Sequence, residues 1–282
     1  MNASATLTLG GDLEVRRLGF GAMRITGKGI WGPPKDPEEA TRLLRRVVEL
    51  GINLIDTADS YGPEVSEELI ADALHPYPED LVIATKAGLR RTGPGEWPPD
   101  ARPERIRECC EGSLRRLKLD RIDLYQLHRP DPRVPIEDSL GAFKELQDEG
   151  KVRHVGVSNF SVEQLGRARE VVEVVSVQNL YNAENRFSED VLEACERDLL
   201  GFIPWFPLAT GRLAEPGGPL DEIAREYDAS PGQVALAWLL GRSPAMLPIP
   251  GTSSVEHLEE NVAATGLELS EDELDRIGAA AG

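Results

Sequence analysis

The sequence of 282 residues is poor in several features that mark broad protein classes. It holds three cysteines, with Cys109 and Cys110 adjacent and Cys195 apart. That is no disulfide framework, and no CxxC or Cys/His spacing suggests zinc, so a reducing compartment is expected. Basic charge is scarce: 31 lysines and arginines stand against 49 acids, a net charge of −18. An acidic surface repels nucleic acid phosphate and anionic lipid, which sets both aside as partners. Four histidines lie scattered over different segments. They supply no ligand cluster, so no metal is expected and a metal-dependent hydrolase is disfavoured. No stretch approaches the roughly 20 apolar residues of a membrane helix. Residues 1–11 have neither the basic start nor the apolar run of a signal peptide, and a cytoplasmic, monomeric chain is the expectation.

Hydrophobic residues make up 40% of the chain, enough for a sizeable core. Strand-like and helix-like segments alternate from end to end. Residues 6–15 read as a short hairpin around Gly10-Gly11-Asp12. Eight apolar runs follow at 17–22, 52–56, 81–85, 122–127, 152–157, 174–178, 201–205 and 246–249. Gly, Pro or polar residues bound each run, as they bound buried parallel strands. Helix patterns at 37–50, 103–117, 136–149, 161–172 and 188–199 separate them. Two more, 220–227 and 231–240, lie between the seventh and eighth runs, and a last one at 255–264 precedes a tail. Strict alternation predicts one α/β domain over residues 1–282, a (β/α)8 TIM barrel with an N-terminal β-hairpin and extra helices late in the chain. A doubly wound open sheet is the structural alternative. Gly27-Lys28-Gly29-Ile30-Trp31-Gly32 matches GxGxxG spacing, but Pro33-Pro34 follows and no strand precedes it. It reads as a loop over the barrel mouth and not as a dinucleotide fingerprint.

Active sites of such barrels lie at the C-terminal ends of the strands. Asp56 ends the second run, Lys86 follows the third and His128 the fourth, while Tyr61 sits five residues beyond Asp56. Lysine is rare in this chain, and one at the end of an apolar strand requires a partner, for which Asp56 is the candidate. A lysine near Tyr61 is expected to lower the phenol pKa and make it a general acid near neutral pH. His128 is placed to orient a carbonyl oxygen. Each residue alone also reads as a cap, a turn or a structural ion pair; the convergence on adjacent strand ends is what favours catalysis.

At these residues the sequence resembles the aldo-keto reductases. The segment Asn53-Leu54-Ile55-Asp56-Thr57-Ala58-Asp59-Ser60-Tyr61-Gly62 is similar to that family's signature, and Asp56, Tyr61, Lys86 and His128 fall on its catalytic tetrad. The resemblance implies an oxidoreductase that uses NADPH/NADP+, with NADH as the alternative, on a small carbonyl substrate. It implies nicotinamide contacts from Ser158, Asn159 and Gln178, with Trp205 stacked on the ring. Gly21, Ala22, Met23, Asp56, Phe206, Pro207, Leu208 and Gly211 are implied along the rest of the cofactor. Ile249, Gly251, Thr252, Ser253, His257, Glu260 and Asn261 are implied at its adenosine-phosphate end. Where the family often carries a lysine and an arginine around the 2′-phosphate, this chain has Gly251 and His257. Hydroxyls of Thr252, Ser253 and Ser254, and backbone amides, are the expected substitutes.

A closer likeness, in Gly19-Phe20-Gly21-Ala22-Met23-Arg24, the loop ending Trp31-Gly32-Pro33-Pro34 and the segment from Gly251 to Asn261, is to bacterial pyridoxal reductases of that superfamily. It implies reduction of pyridoxal to pyridoxine, with Trp31, Tyr61 and His128 at the substrate. A general aldehyde or ketone reductase and a non-enzymatic NADP(H)-sensing module are the alternatives.

Overall fold

The computed structural model describes residues 5–214 and 220–281. Strands β1 (Thr6–Leu9) and β2 (Leu13–Arg16) form the expected hairpin, pairing antiparallel with Leu9 opposite Leu13. Seven parallel strands follow in sequential order: β3 (Phe20–Gly21), β4 (Leu54–Asp56), β5 (Val82–Ala87), β6 (Ile122–Leu127), β7 (Val152–Ser158), β8 (Val174–Leu180) and β9 (Gly201–Trp205). Helices α1 (Pro37–Glu49), α2 (Val65–Leu74), α3 (Pro103–Leu117), α4 (Ile136–Asp148), α5 (Val162–Val171) and α6 (Glu189–Asp198) connect them from β3 onward. Helices α7 (Asp221–Glu226), α8 (Pro231–Arg242), α9 (Val255–Ala263) and α10 (Glu271–Ala281) complete the chain.

The helices begin where the side chains offer caps. Asp36 accepts from the Glu39 amide at 3.0 Å at the start of α1, with Pro37 in the first turn. Ser161 and Ser230 form reciprocal capping boxes with Gln164 and Gln233.

The eighth run closes the barrel without becoming a regular strand. Phe202 N–H donates to Ala245 O and Leu247 N–H to Phe202 O, both at 2.8 Å, and Gly19 N–H donates to Pro248 O at 3.0 Å. Pro248 and Pro250 lack amide donors, so a continuous ladder cannot form there. The first run is likewise shorter than expected, because Arg17 leaves the strand to clamp the seam. Its buried guanidinium donates to the carbonyls of Met246, Leu240 and Ser243 at 3.2, 2.9 and 2.5 Å.

Inside the barrel, Leu54, Val82, Ala84, Leu124, Val175, Ile203 and Leu247 pack on Leu9, Leu13 and Val15 of the hairpin. The hairpin therefore plugs the N-terminal end, each of its buried side chains contributing about 1.5–3 kcal/mol. The C-terminal end stays open. Two elements differ from the sequence expectation. Helix α2 lies where no helix pattern was read, because its buried face includes Ser66 and Glu67 and so breaks the apolar period. The expected tail folds as α10, where Ser270 accepts from Glu273 N and the Glu273 carboxylate from Ser270 N, a capping-box pair.

Candidate active site

Three strand ends deliver one buried polar chain. Lys86, fully buried, donates to Asp56 Oδ1 at 2.5 Å and to Thr57 O at 2.8 Å, and its Nζ stands 3.4 Å from the Tyr61 hydroxyl. The other Asp56 oxygen accepts from Gln126 Nε2 at 2.9 Å and Gln178 Nε2 at 3.0 Å. A buried carboxylate requires such partners, and here both oxygens have them. Gln126 pairs in register with Lys86 on one side and with Gly156 on the other. A Cβ on Gly156 would lie 3.0 Å from Gln126 Cγ, so that glycine leaves room for the amide to reach inward.

Tyr61 is carried by a cross-tied loop. Thr57 N–H donates to Ala84 O at 2.8 Å, Ser66 N–H to Tyr61 O at 3.1 Å and Glu64 N–H to Asp59 O at 2.7 Å. Thr57 and Ser66 hydroxyls meet at 2.8 Å, and Ser66 donates onward to Ala22 O at 3.2 Å. The Tyr61 ring meets the His128 ring edge-on, with centroids 5.8 Å apart, and Trp97 edge-on at 6.3 Å. His128 Nδ1 lies 3.4 Å from Ser60 Oγ.

Burial decides the protonation states. It raises the Tyr61 phenol above its ordinary value; the Lys86 charge pulls it down but does not prevail, and Asp56 pushes it up further. The lowering expected from Lys86 is present, but burial makes the net shift upward. The phenol is instead held fully protonated at neutral pH. Burial also works against the Lys86 charge, but Asp56 and Tyr61 together outweigh it and leave the ammonium's pKa raised. His128 is pushed well below the ordinary imidazole range by burial first, then by the charges of Lys86 and Arg129, so it is neutral.

A cavity of about 940 Å³ opens above this cluster, within the range of small-molecule sites. Asp56, Tyr61 and His128 line it together with every residue expected along a cofactor except Ala22. Ala22 is buried in the wall behind, packed among Phe20, Ile25 and Leu44. Lys86 is also behind the surface, beneath Asp56 and Tyr61. Trp31, expected at the substrate, does not line the cavity; its neighbour Ile30 does. The glycine-spaced loop at 27–32 carries no strand-to-helix turn and lies beside the Tyr61 loop, with Gly32 N–H donating to Gly62 O.

Within the cavity wall, Ser158 donates to Gln178 O at 2.7 Å, and Asn159 Nδ2 donates to Ser158 Oγ at 2.9 Å and to His128 O at 3.1 Å. Asn159 holds φ +62°, a left-handed conformation that Asn tolerates. Trp205 faces the cavity with a buried Nε1 that lacks a hydrogen-bond partner among the described residues. On the strand next to Asp56, the backbone of Gly21 meets that of Gly251 so closely that a Cβ on either would lie 2.7 Å from a carbonyl oxygen. The residues present fit an extended dinucleotide: the close glycine backbones let a ligand lie against the wall, and Asn159 and Gln178 bring amides to the same cavity.

Several site residues escaped the sequence reading. Gln126 was visible only as a lone amide in an apolar strand. Trp97 comes from a loop with no pattern to announce it. Arg91 directs all five of its N–H donors to backbone carbonyls: Glu96 O, Ile30 O, Ser60 O, Gly29 O and Gly93 O, at 2.7 to 3.3 Å. Its guanidinium lies 3.6 Å from the Trp97 ring centre and 5.4 Å from that of Trp31. One cation thus staples the loops around the Tyr61 side of the mouth.

The family model described as Aldo/keto reductase family matches residues 17–281. A Schizosaccharomyces pombe protein described as an uncharacterized oxidoreductase is 55% identical over 262 residues, 93% of this chain and 85% of its own. Pyridoxine 4-dehydrogenase of Escherichia coli is 43% identical over 282 residues, 98% of each chain. The crystal structure of an aldo-keto reductase from Klebsiella pneumoniae in complex with NADPH is similar at a TM-score of 0.83 and 28% identity, covering 97% of this chain and 94% of that one. No helix among the described residues is long and apolar enough to cross a membrane. With a barrel whose strand ends unite an acid, an ammonium, a phenol and an imidazole under one cleft, the chain belongs to the aldo/keto reductase family and is an oxidoreductase.

Proposed function

We propose that this chain reduces an aldehyde with NADPH, that pyridoxal is its substrate, and that Tyr61 supplies the proton. The observation that carries the reading is the buried run from Asp56 through Lys86 to the Tyr61 hydroxyl, which ends in the cavity beside a neutral His128. The choice of pyridoxal rests on the Escherichia coli relative that covers 98% of both chains.

When bound, the nicotinamide supplies the hydride that goes to the carbonyl carbon. The protein's part is to bind and position. Trp205 offers its face, and Ser158, Asn159 and Gln178 offer polar groups for a carboxamide. His128, neutral, donates a hydrogen bond to the carbonyl oxygen and orients it. Tyr61 transfers its phenolic proton to that oxygen as the C–H bond forms, and Lys86 stabilises the phenolate left behind. Asp56 keeps Lys86 charged and in place. Trp97, Ile30 and Leu89 give the substrate end apolar walls. A module that only senses a dinucleotide has no need of a fully buried ammonium beside a phenol, whose burial carries a desolvation cost.

The test is NADPH oxidation followed across pyridoxal, simple aldehydes and ketones, and repeated with NADH. Pyridoxal reduction at the highest kcat/KM supports the reading. Tight cofactor binding with no turnover on any carbonyl would overturn it.

A further inference from the structure

We infer that Arg24 is the cation that receives the 2′-phosphate of NADPH. The inference rests on the NADPH reading above and assigns it a residue that the family pattern does not supply at the usual positions.

Position 251 cannot carry that cation. A side chain there would collide with the Gly21 carbonyl, 2.7 Å from where its Cβ would sit. Of the hydroxyls expected to compensate, those of Thr252 and Ser254 also hold the loop and the helix start together, while Ser253 lines the cavity. Thr252 Oγ1 accepts from Ser254 N at 3.0 Å, and Ser254 Oγ accepts from His257 N at 3.4 Å as the cap of α9. Glu260 lines the same end of the cleft and adds negative charge, so a phosphate there requires a counter-charge.

Two arginines line the cavity, Arg24 and Arg129. Arg129 follows His128 at the catalytic end. Arg24 follows Met23 on the turn after β3, and its Cγ lies 3.6 Å from where a Gly251 Cβ would be. Its side chain thus occupies the space beside Gly251 that a cation at that position would use. Arg24 is exposed, and its guanidinium makes no hydrogen bond or ion pair among the described residues. In a chain with 49 acids and 31 bases, an arginine on a cofactor-sized cleft with no acidic partner among the described residues is available for an anionic ligand. A guanidinium fork matches phosphate oxygens two at a time.

Fluorescence titration of the wild type, Arg24→Met and Arg24→Lys with NADPH and with NADH tests this without any turnover. Arg24→Met is expected to weaken NADPH by roughly 10- to 100-fold, the scale of hydrogen bonds to a charged group, and to leave NADH within about two-fold. Arg24→Lys is expected to lie between. NADH serves as the folding control, since a damaged site loses both ligands. Equal loss of both dinucleotides in Arg24→Met, loss of neither, or a wild type that binds NADH as tightly as NADPH would overturn the assignment. A wild type that binds neither overturns the NADPH reading itself.

Discussion

The Lys86 ammonium stands 3.4 Å from the Tyr61 hydroxyl, yet the phenol is held above its ordinary pKa. Burial is the largest cause, and Asp56, at 2.5 Å from Lys86, offsets part of what the ammonium offers its other neighbour. On the proposed mechanism, the lysine serves less to acidify the ground-state phenol than to receive the phenolate after the proton has left. Such stabilisation acts in the transition state, where it raises the rate.

The pH profile follows from these directions. The acid must be protonated, and its raised pKa moves the alkaline loss of activity above the ordinary phenol value of about 10. His128 must be neutral, and its lowered pKa moves the acid-side loss below the ordinary value of about 6.5. The single-turnover rate of carbonyl reduction is therefore expected to stay level from about pH 6.5 to about pH 9. A half-loss centred near pH 8 would contradict a buried, protonated Tyr61.

The Asp56–Lys86 pair gives a stability prediction. Lys86→Met leaves Asp56 as an uncompensated buried carboxylate, and such losses run to about 3–5 kcal/mol. Lys86→Met combined with Asp56→Asn removes the stranded charge and is expected to recover part of that loss. Urea unfolding measures both. Additive losses in the double variant would mean that the two side chains do not act as a pair.

Asp59, two residues before Tyr61, is expected to make stability depend on pH. Burial first, then the nearby Glu67 charge, raises its pKa to about 7, and its Oδ1 has no hydrogen-bond partner among the described residues. The folded state therefore keeps a proton that the unfolded chain, with a carboxyl pKa of about 3.9, has already released. Stability falls as pH rises between those two values, by ~4 kcal/mol in full, and is level above them. Asp59→Asn removes this contribution, so the variant is expected to gain on the wild type between pH 4 and pH 8 in urea unfolding. A constant difference across that range would contradict it.

Arg91 acts through the loops it holds. Its carbonyl partners include Ser60 O, next to Tyr61, and Ile30 O on the cavity wall. Arg91→Lys keeps the charge but cannot reach five carbonyls from a planar fork. It is expected to raise KM for the carbonyl substrate about ten-fold, near 1.4 kcal/mol, with NADPH affinity unchanged. Parallel loss of cofactor affinity would show instead a general collapse of the cleft.

Much of the barrel was legible because buried parallel strands are written as short apolar runs, and charged residues at their ends stand out against them. Asp56, Lys86 and His128 were found in that way, and the cavity brings Asp56 and His128 together with Tyr61. Other features depend on distances that no local pattern carries. Helix α2 hides because Glu67 is buried against Arg116 and Thr85, a polar contact in a place where the pattern calls for an apolar residue. The Arg91 staple joins loops up to 62 residues apart. The protonation of Tyr61 turns on the contest between burial and the lysine charge, and only the burial was invisible in the sequence.

The most direct measurement of the catalytic reading is the turnover of Tyr61→Phe, with its NADPH affinity taken in parallel. The substitution removes one hydroxyl and keeps the ring against Trp97 and His128. Loss of a general acid is expected to lower kcat by about 10²- to 10⁴-fold while the dissociation constant for NADPH stays within about two-fold. Near-wild-type turnover in Tyr61→Phe, at unchanged NADPH affinity, would contradict the assignment of Tyr61 as the proton donor.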